Sequence, residues 1–472
     1  MTPLLHADAR LVNAASGTVL GGGALRERVD AAAQAYGRHP HGVIFALIRP
    51  QLDDIVRYLG AQNAGRPVLL LDPDLPVATL HTFLTRFGPV LVTGVPAADV
   101  PPVGYVVAEG DELGLVWARA DAPPAVPHPD LGLLLTTSGS TGNPKLVRLS
   151  TAAVLANAES IARALGIDGD EVAPTSLPLH YTYGLSVLHS HLLRGASIVL
   201  DDAGLTSRAF WSAVTDHGVT SLAAVPYQYE ILKRLRFDPA RYPSLRTLTQ
   251  AGGRLRPEMV TEFNDRMLAV DGRMFVMYGQ TEATARMSVL PADRLAGKPG
   301  SCGQAVPGGR FAMRLDDGEE TTAPGEVGEV IFRGPNVMMG YAETAEDLER
   351  GDDLGGVLAT GDLGYLDDEG FLFLVGRTKR FAKVFGVRVN LDDVERMLTD
   401  RGPIAAIAGE DRLVFFAEGA DDDLCAKIRS EVAAGLALHS SGVLVRSVEQ
   451  LPLMPTGKVD YRALAELPGE SS

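Results

Sequence analysis

Leu135-Thr136-Thr137-Ser138-Gly139-Ser140-Thr141-Gly142-Asn143-Pro144-Lys145 is the stretch that decides how this chain folds. It follows an apolar run over 131–136 that reads as a buried strand. Gly139 and Gly142 let the backbone approach a ligand closely. The hydroxyls of Thr136, Thr137, Ser138, Ser140 and Thr141 offer hydrogen bonds, and Lys145 adds positive charge. Those are the properties of a loop that wraps a polyphosphate. The spacing is not that of the common nucleotide loop, G-x-x-x-x-G-K-[ST] before a helix. A flexible linker would need neither the preceding strand nor the Pro-Lys stop.

Outward from this loop, the chain up to Pro299 alternates strand and helix. Apolar runs over 43–48, 68–71, 89–93, 172–177, 197–200, 221–225 and 274–277 read as strands, the first of the later group weakened by Pro174. Segments 53–63, 152–165, 185–193, 206–216 and 257–268 have helical spacing, and Gly65 lies just past the first of them. Such alternation predicts parallel sheets covered by helices. Residues 121–129, rich in proline and alanine, read as a loop. From about Gly308 the texture changes to short strands over 311–315, 328–333 and 371–375 with Asp/Gly turns between them. That pattern predicts an antiparallel sheet or small barrel. The last part carries a basic segment over 377–383, helices over 391–398 and 424–434, and strands over 404–408 and 413–417. It reads as a separate α+β unit.

Composition sets the bounds. The 472 residues are 46% hydrophobic and 22% charged, which excludes wholesale disorder and collagen-like repeats. The net charge of −16 argues against a nucleic-acid partner, which needs a cationic footprint. Cys302 and Cys425 are too few for a disulfide framework, and a cytoplasmic location is expected. No leader and no membrane span is visible. Among the 43 basic residues only Lys145, Lys233, Lys298, Lys379, Lys383, Lys427 and Lys458 are lysine. Lysine is a compact, movable charge and arginine a planar fork, so a chain this poor in lysine keeps one where chemistry asks for it.

Read in order, these blocks resemble the adenylate-forming enzymes: acyl- and aryl-CoA synthetases, peptide-synthetase adenylation domains and firefly-type luciferases. The opening loop resembles their ATP phosphate loop. Tyr278-Gly279-Gln280-Thr281-Glu282 resembles the motif whose aromatic ring stacks on adenine, whose threonine meets the α-phosphate and whose glutamate holds Mg²⁺. Gly325-Glu326-Val327-Gly328-Glu329 through Gly340-Tyr341 resembles a structural motif of the family. Thr360-Gly361-Asp362-Leu363-Gly364 resembles the element whose aspartate grips the ribose hydroxyls. Gly376-Arg377-Thr378-Lys379 resembles the hinge, where the arginine also reaches ribose or phosphate. Pro455-Thr456-Gly457-Lys458 resembles the terminal motif, whose lysine bridges carboxylate and phosphate. There are departures: Leu146 stands where glycine is usual, a histidine common near Thr151 is replaced, and the Pro-Leu-Phe-His block reads Pro178-Leu179-His180-Tyr181.

The resemblance implies an α/β fold. A large N-terminal domain over 1–378 would hold αβα-layered subdomains and a small β-barrel-like part. A small mobile α+β domain over 379–472 would carry the adenylation lysine. It implies catalytic roles for Lys458, Lys383, Thr281 and Glu282, the last as metal ligand. The nucleotide and acceptor would be held by Thr137 to Gly142, Lys145, Gly252, Tyr278, Gly279, Gln280, Asp362, Arg377, Lys379 and Gly386. His180, Tyr181, Tyr183, Gly184, Tyr227, Gly253 and Met277 are the expected acid pocket. No acidic residue lies between Leu177 and Leu188 to hold an ammonium group, so the expected substrate is a small-molecule carboxylic acid, acyl or aryl, without an α-ammonium group. ATP with Mg²⁺ would activate it to acyl-AMP. Coenzyme A, or the phosphopantetheine of an acyl carrier protein, would accept the acyl group. The remaining alternative is a nucleotide-binding homologue without catalysis, which predicts losses at the loop, Glu282, Asp362 or Lys458; all are present.

Overall fold

The computed structural model describes residues 4–110, 112–136, 145–377, 381–384, 387–409, 412–436, 438–454 and 458–467. The chain divides into two compact units. One is Met1–Arg310 with Phe332–Leu358; the other is Phe311–Ile331 with Ala359–Ser472. The boundary expected at 378/379 falls at a residue outside the described set.

The first unit contains an eight-stranded sheet. Its order is Gly340–Ala342, Leu146–Ser150, Leu131–Thr136, Val68–Leu71, Ile44–Leu47, Leu91–Thr93, Gly114–Arg119 and Tyr105–Gly110. The four central strands run parallel, and the flanking strands on both sides are antiparallel. Ile44–Leu47 and Val68–Leu71 are apolar at every position and buried at every position. That is what covering both faces demands of a central parallel strand. Alternate side chains go to opposite faces. Ile44, Ala46, Val68 and Leu70 pack with Leu25, Val29, Ile55, Leu59 and Val154. Phe45, Leu47, Leu69 and Leu71 pack with Leu80, Phe83, Leu84 and Phe87. The layering is therefore helix, sheet, helix.

Two further sheets complete the unit. One has parallel strands Ser221–Ala224, Thr247–Gln250 and Arg273–Tyr278, then antiparallel Ser288–Leu290 and Gln304–Ala305. The other orders Val172–Pro174, Ser197–Leu200 and Arg10–Asn13 in parallel, with Val19–Gly21 antiparallel. The strand expected over 172–177 stops at Pro174, whose ring removes the donor a ladder needs. The Gly22–Gly37 helix and the Tyr105–Gly110 and Gly114–Arg119 hairpin go beyond the sequence expectation. The helix buries Leu25, Val29, Ala32, Ala35 and Tyr36 among polar and glycine neighbours, so its apolar stripe is faint. Thr151–Leu165 starts where Ser150 Oγ accepts from Ala153 N at 3.0 Å and ends at Gly166 with φ 65°.

A further sheet has five strands in the order Glu320–Thr321, Arg310–Arg314, Gly328–Arg333, Val357–Leu366 and Leu372–Arg377. It is an open sheet and not a closed barrel. Its end strands do not pair with each other among the described residues, and an edge strand of 2 residues is too short to carry a closing ladder. The chain then gives a hairpin, Phe381–Val384 with Val387–Asn390, and a sheet of Ile404–Gly409, Arg412–Glu418 and Val443–Val448. Helices Leu391–Met397 and Asp422–Gly435 bury Val394, Ile428 and Val432 against Leu413 and Phe415. No described helix is long and apolar enough to cross a membrane.

Candidate active site

The opening loop joins two antiparallel strands, Leu131–Thr136 and Leu146–Ser150, with Thr136 opposite Leu146. Thr137, Ser138, Gly139, Ser140, Thr141 and Gly142 lie outside the described residues. Lys145 closes the loop. Its Nζ is 2.6 Å from Glu343 Oε1 and 5.9 Å from the Tyr341 ring centroid. Strand Gly340–Ala342 sets Tyr341 opposite Val147, and the Tyr341 hydroxyl donates to Glu282 Oε1 at 2.8 Å. Burial first, then the Glu282 carboxylate, push the Tyr341 phenol far above its usual range, so it remains a donor. Lys145, Glu282 and the pair Tyr341 and Glu343 thus meet from three distant parts of the chain.

The Tyr278–Glu282 turn leaves the end of the Arg273–Tyr278 strand. Tyr278 is buried, and Gln280 Nε2 donates to its hydroxyl at 3.3 Å. Gly279 is there because the chain doubles back: a Cβ would stand 1.7 Å from the Ala285 carbonyl oxygen. Thr281–Ala283 is one 3₁₀ turn. Thr284 follows at φ 64°, ψ −59°, with Ala285 N donating to Ala283 O at 2.7 Å. That is a γ-turn at positive φ, costly for a β-branched residue and found mostly where the surroundings enforce it.

The surroundings are a set of buried polar residues that the sequence did not reveal. The Thr182 hydroxyl donates to the Thr284 carbonyl. Thr284 Oγ1 donates to Asn336 O at 2.8 Å. Asn336 Nδ2 donates to Ala283 O at 2.8 Å and to Arg286 O at 3.0 Å. Asn157 brackets Arg286, donating to its carbonyl at 2.8 Å and accepting from its N–H at 3.2 Å. Met338 N donates to Glu282 O at 2.9 Å. The one sequence signal was Asn157, a polar residue at a position that the helical spacing puts on the buried face beside Val154, Ala158 and Ile161.

Around the expected acid pocket, Tyr181 and Tyr183 meet edge-on at 6.5 Å between centroids. The Tyr181 hydroxyl stands 2.5 Å from where a Cβ on Gly252 would sit, and Gly252 has φ 84°. Both facts require glycine there. Gly253 is more open, with Pro226 Cγ at 3.2 Å from a Cβ position. Tyr227 is half-buried in the first turn of Pro226–Arg234. Tyr183 is buried, its hydroxyl is 2.8 Å from Thr249 Oγ1, and burial pushes its pKa up to about 12. Gly184 packs on backbone: a Cβ would meet the Pro178 and Leu177 carbonyls at 2.3 and 2.8 Å. His180 Nε2 is 3.6 Å from Asp72 Oδ2. Burial lowers the His180 pKa, with Asp72 and then Asp74 opposing. Met277 and Tyr183 line a cavity of about 30 Å³ together with Arg286.

The second unit holds the other expected residues. Asp362 is 4% exposed and faces Arg377 across the Val357–Leu366 and Leu372–Arg377 ladder; Arg377 Nε donates to Asp362 Oδ1 at 2.8 Å. The turn before it is tied by Thr360 Oγ1, which donates to Val330 O at 2.8 Å and accepts from Asp362 N at 3.1 Å. Lys383 lies on Phe381–Val384, opposite Arg388. Lys379 and Gly386 lie outside the described residues. Lys458 is half-buried one residue before the Leu453–Val459 bridge, with its carbonyl accepting from Met454 N at 2.8 Å.

A family model described as AMP-binding enzyme matches residues 6–342. The chain belongs to the AMP-binding enzyme family. Among relatives of this AMP-binding chain, an oxalate–CoA ligase of Arabidopsis thaliana is 32% identical over 317 residues, 64% of this chain and 60% of that one. An indoleacetate–CoA ligase of Aromatoleum aromaticum is 31% identical over 354 residues, 73% of this chain and 66% of that one. The chain therefore spans less than two thirds of the length of these curated relatives. A solved o-succinylbenzoate CoA synthetase of Bacillus subtilis, in complex with its acyl-adenylate intermediate, superposes with a TM-score of 0.77 at 21% identity, covering 98% of this chain and 96% of that one. At that identity the likeness carries the fold.

Proposed function

We propose that this AMP-binding enzyme activates a carboxylic acid with MgATP and passes the acyl group to the thiol of coenzyme A. In the first step an acid oxygen attacks the α-phosphorus, and the bond to pyrophosphate breaks with its electrons leaving on pyrophosphate. In the second, a thiolate attacks the acyl carbonyl and AMP departs. The observation that carries the reading is the meeting of Lys145, Tyr341 and Glu282 at a turn locked by the strained Thr284. A cation beside a carboxylate with a pre-set donor suits a nucleotide triphosphate and its metal. Relatives bearing CoA-ligase names support the acceptor.

The residues fit Mg²⁺. A half-exposed carboxylate, with one oxygen occupied by Tyr341, is a hard-donor site. Bound there, the ion would draw charge from the phosphate oxygens. The chain's own residues do the rest. Tyr278 offers an aromatic face to the base, Thr281 a hydroxyl to the α-phosphate, and Asp362 with Arg377 a grip for ribose. Lys458 neutralises the charge that develops on the reacting oxygens. Residues 379–472 form the mobile part in this reading, with Lys379 as pivot and Lys383 and Gly386 meeting the thiol arm. His180, Tyr181, Tyr227, Gly253 and Met277 line the acid.

The test is exchange of labelled pyrophosphate into ATP over a panel of carboxylic acids. Acid-dependent, Mg²⁺-dependent exchange is expected. AMP binding with no exchange for any acid would leave the non-catalytic alternative standing.

A further inference from the structure

Arg286 follows the Tyr278–Glu282 turn and had no part in the sequence reading. The residue is 2% exposed. Its guanidinium lies over the Tyr183 ring, 4.3 Å from the centroid, and one Nη donates to Ser186 Oγ at 3.3 Å. Its Nε is buried without a hydrogen-bond partner. Arg286 forms no ion pair with a described carboxylate. Glu171, on the wall of the same cavity, is already held by the Thr220 hydroxyl and lies 3.5 Å from Arg246 and 3.8 Å from Arg273.

Arginine stays charged at any working pH, and a desolvated charge without a counter-ion is strongly unfavourable. The molecule nonetheless builds this position with care, since Asn157 and Asn336 clamp the Arg286 main chain on both sides. Tyr183 covers one face of the guanidinium, which leaves its donor edge. The cavity it lines, about 30 Å³, also takes in Tyr183, Met277 and Thr249. That is space for about two waters, or for the two oxygens of one compact oxyanion that displaces them. Planar bidentate recognition of carboxylate is what a guanidinium does best.

We infer that Arg286 is a specificity-determining cation, which selects acids bearing a second anionic group, a carboxylate or sulfonate, at the end remote from the carboxylate that reacts. The inference rests on the acid-activation reading above and narrows its substrate class.

The experiment compares pyrophosphate exchange for straight-chain monocarboxylates and their α,ω-dicarboxylates of equal carbon number, with benzoate and terephthalate as an aromatic pair. It uses the wild-type chain, Arg286→Gln and Arg286→Lys. A site that pairs a buried polar group with substrate rejects analogues lacking the partner by up to ~10⁴–10⁵. We expect the wild type to favour the best dianionic acid by ~10²-fold or more in kcat/KM. Arg286→Gln should lose most of that preference with the KM for ATP unchanged, and Arg286→Lys should regain part of it. An active wild type that is indifferent to the second charge, or prefers its absence, overturns the inference alone, and it does so whether or not the variants fold. Preference retained in Arg286→Gln also overturns it. Silence with every acid overturns the activation reading, and this inference with it.

Discussion

Replacing Gly279 by alanine is the sharpest structural perturbation the site offers. The new Cβ would stand 1.7 Å from the Ala285 carbonyl oxygen, 2.7 Å from its carbon and 2.9 Å from Arg286 Cα. All three are backbone, so no side chain can swing away. Restoring a contact of about 3 Å moves one segment by more than about 1 Å, against a loop held by Thr182, Asn157 and Asn336. Overpacking of this kind costs about 1–3 kcal/mol in stability, or more where the backbone is pinned. A shift of about 1 Å in a positioning element costs ~10²-fold in rate. Gly279→Ala should therefore fold with a melting point a few degrees lower and lose ~10²-fold or more in acid-dependent pyrophosphate exchange. Gly37→Ala is the control, because a Cβ there would meet nothing within 4 Å; it should stay within a few-fold of wild type. Differential scanning calorimetry and the exchange assay read the two effects separately. Wild-type melting and wild-type exchange in Gly279→Ala would refute the tight turn as drawn.

Other outcomes follow from the same geometry. Tyr341→Phe removes a donor from a half-exposed carboxylate, worth about 1 kcal/mol after solvent screening; exchange should fall about 5-fold with a changed Mg²⁺ half-saturation, and an unchanged magnesium titration would disconnect Tyr341 from the metal. Asp362→Asn should raise the KM for ATP while leaving that for the acid, and equal shifts in both would make Asp362 structural. His189 is buried against the Tyr58 hydroxyl at 2.8 Å, and burial lowers its pKa to about 3. Because that lies below the ~6.5 of the unfolded chain, its contribution is present above pH ~6.5 and lost as pH falls toward 3. Urea melts at pH 7.5 and 5.5 should differ by about 1.4 kcal/mol from this group, and the difference should shrink in His189→Gln; a variant with the wild-type pH slope would contradict the burial argument.

The fold was legible where chemistry and periodicity agreed. Val68–Leu71, Leu131–Thr136 and Ser197–Leu200 begin and end where their apolar runs do. The Gly22–Gly37 helix was not legible, because alanines stand on both its buried and its outer sides and blur the stripe of Leu25, Val29 and Tyr36. Lys145, Glu282 and Gly279 stood out in the sequence because lysine, carboxylate and glycine each leave a local signature. The clamp around them was not. Asn157, Thr182, Thr284 and Asn336 become a unit only when distant strands and helices meet, and nothing in a Thr or Asn taken singly tells a surface hydrogen bond from a buried one. Arg286 was missed for the same reason, since an arginine in sequence is normally a solvated one.

The central claim is that this chain makes an acyl adenylate and then consumes it. Mass spectrometry of a mixture of the protein, MgATP and an acid active in exchange, sampled before and after adding coenzyme A, tests it most directly. Acyl-AMP should appear first and be replaced by acyl-CoA and AMP. Lys458→Ala should fail to form acyl-AMP yet still convert supplied acyl-AMP when the thiol is added. Release of ADP and phosphate in place of AMP and pyrophosphate, or acyl-AMP formed at the normal rate by Lys458→Ala, would contradict the account.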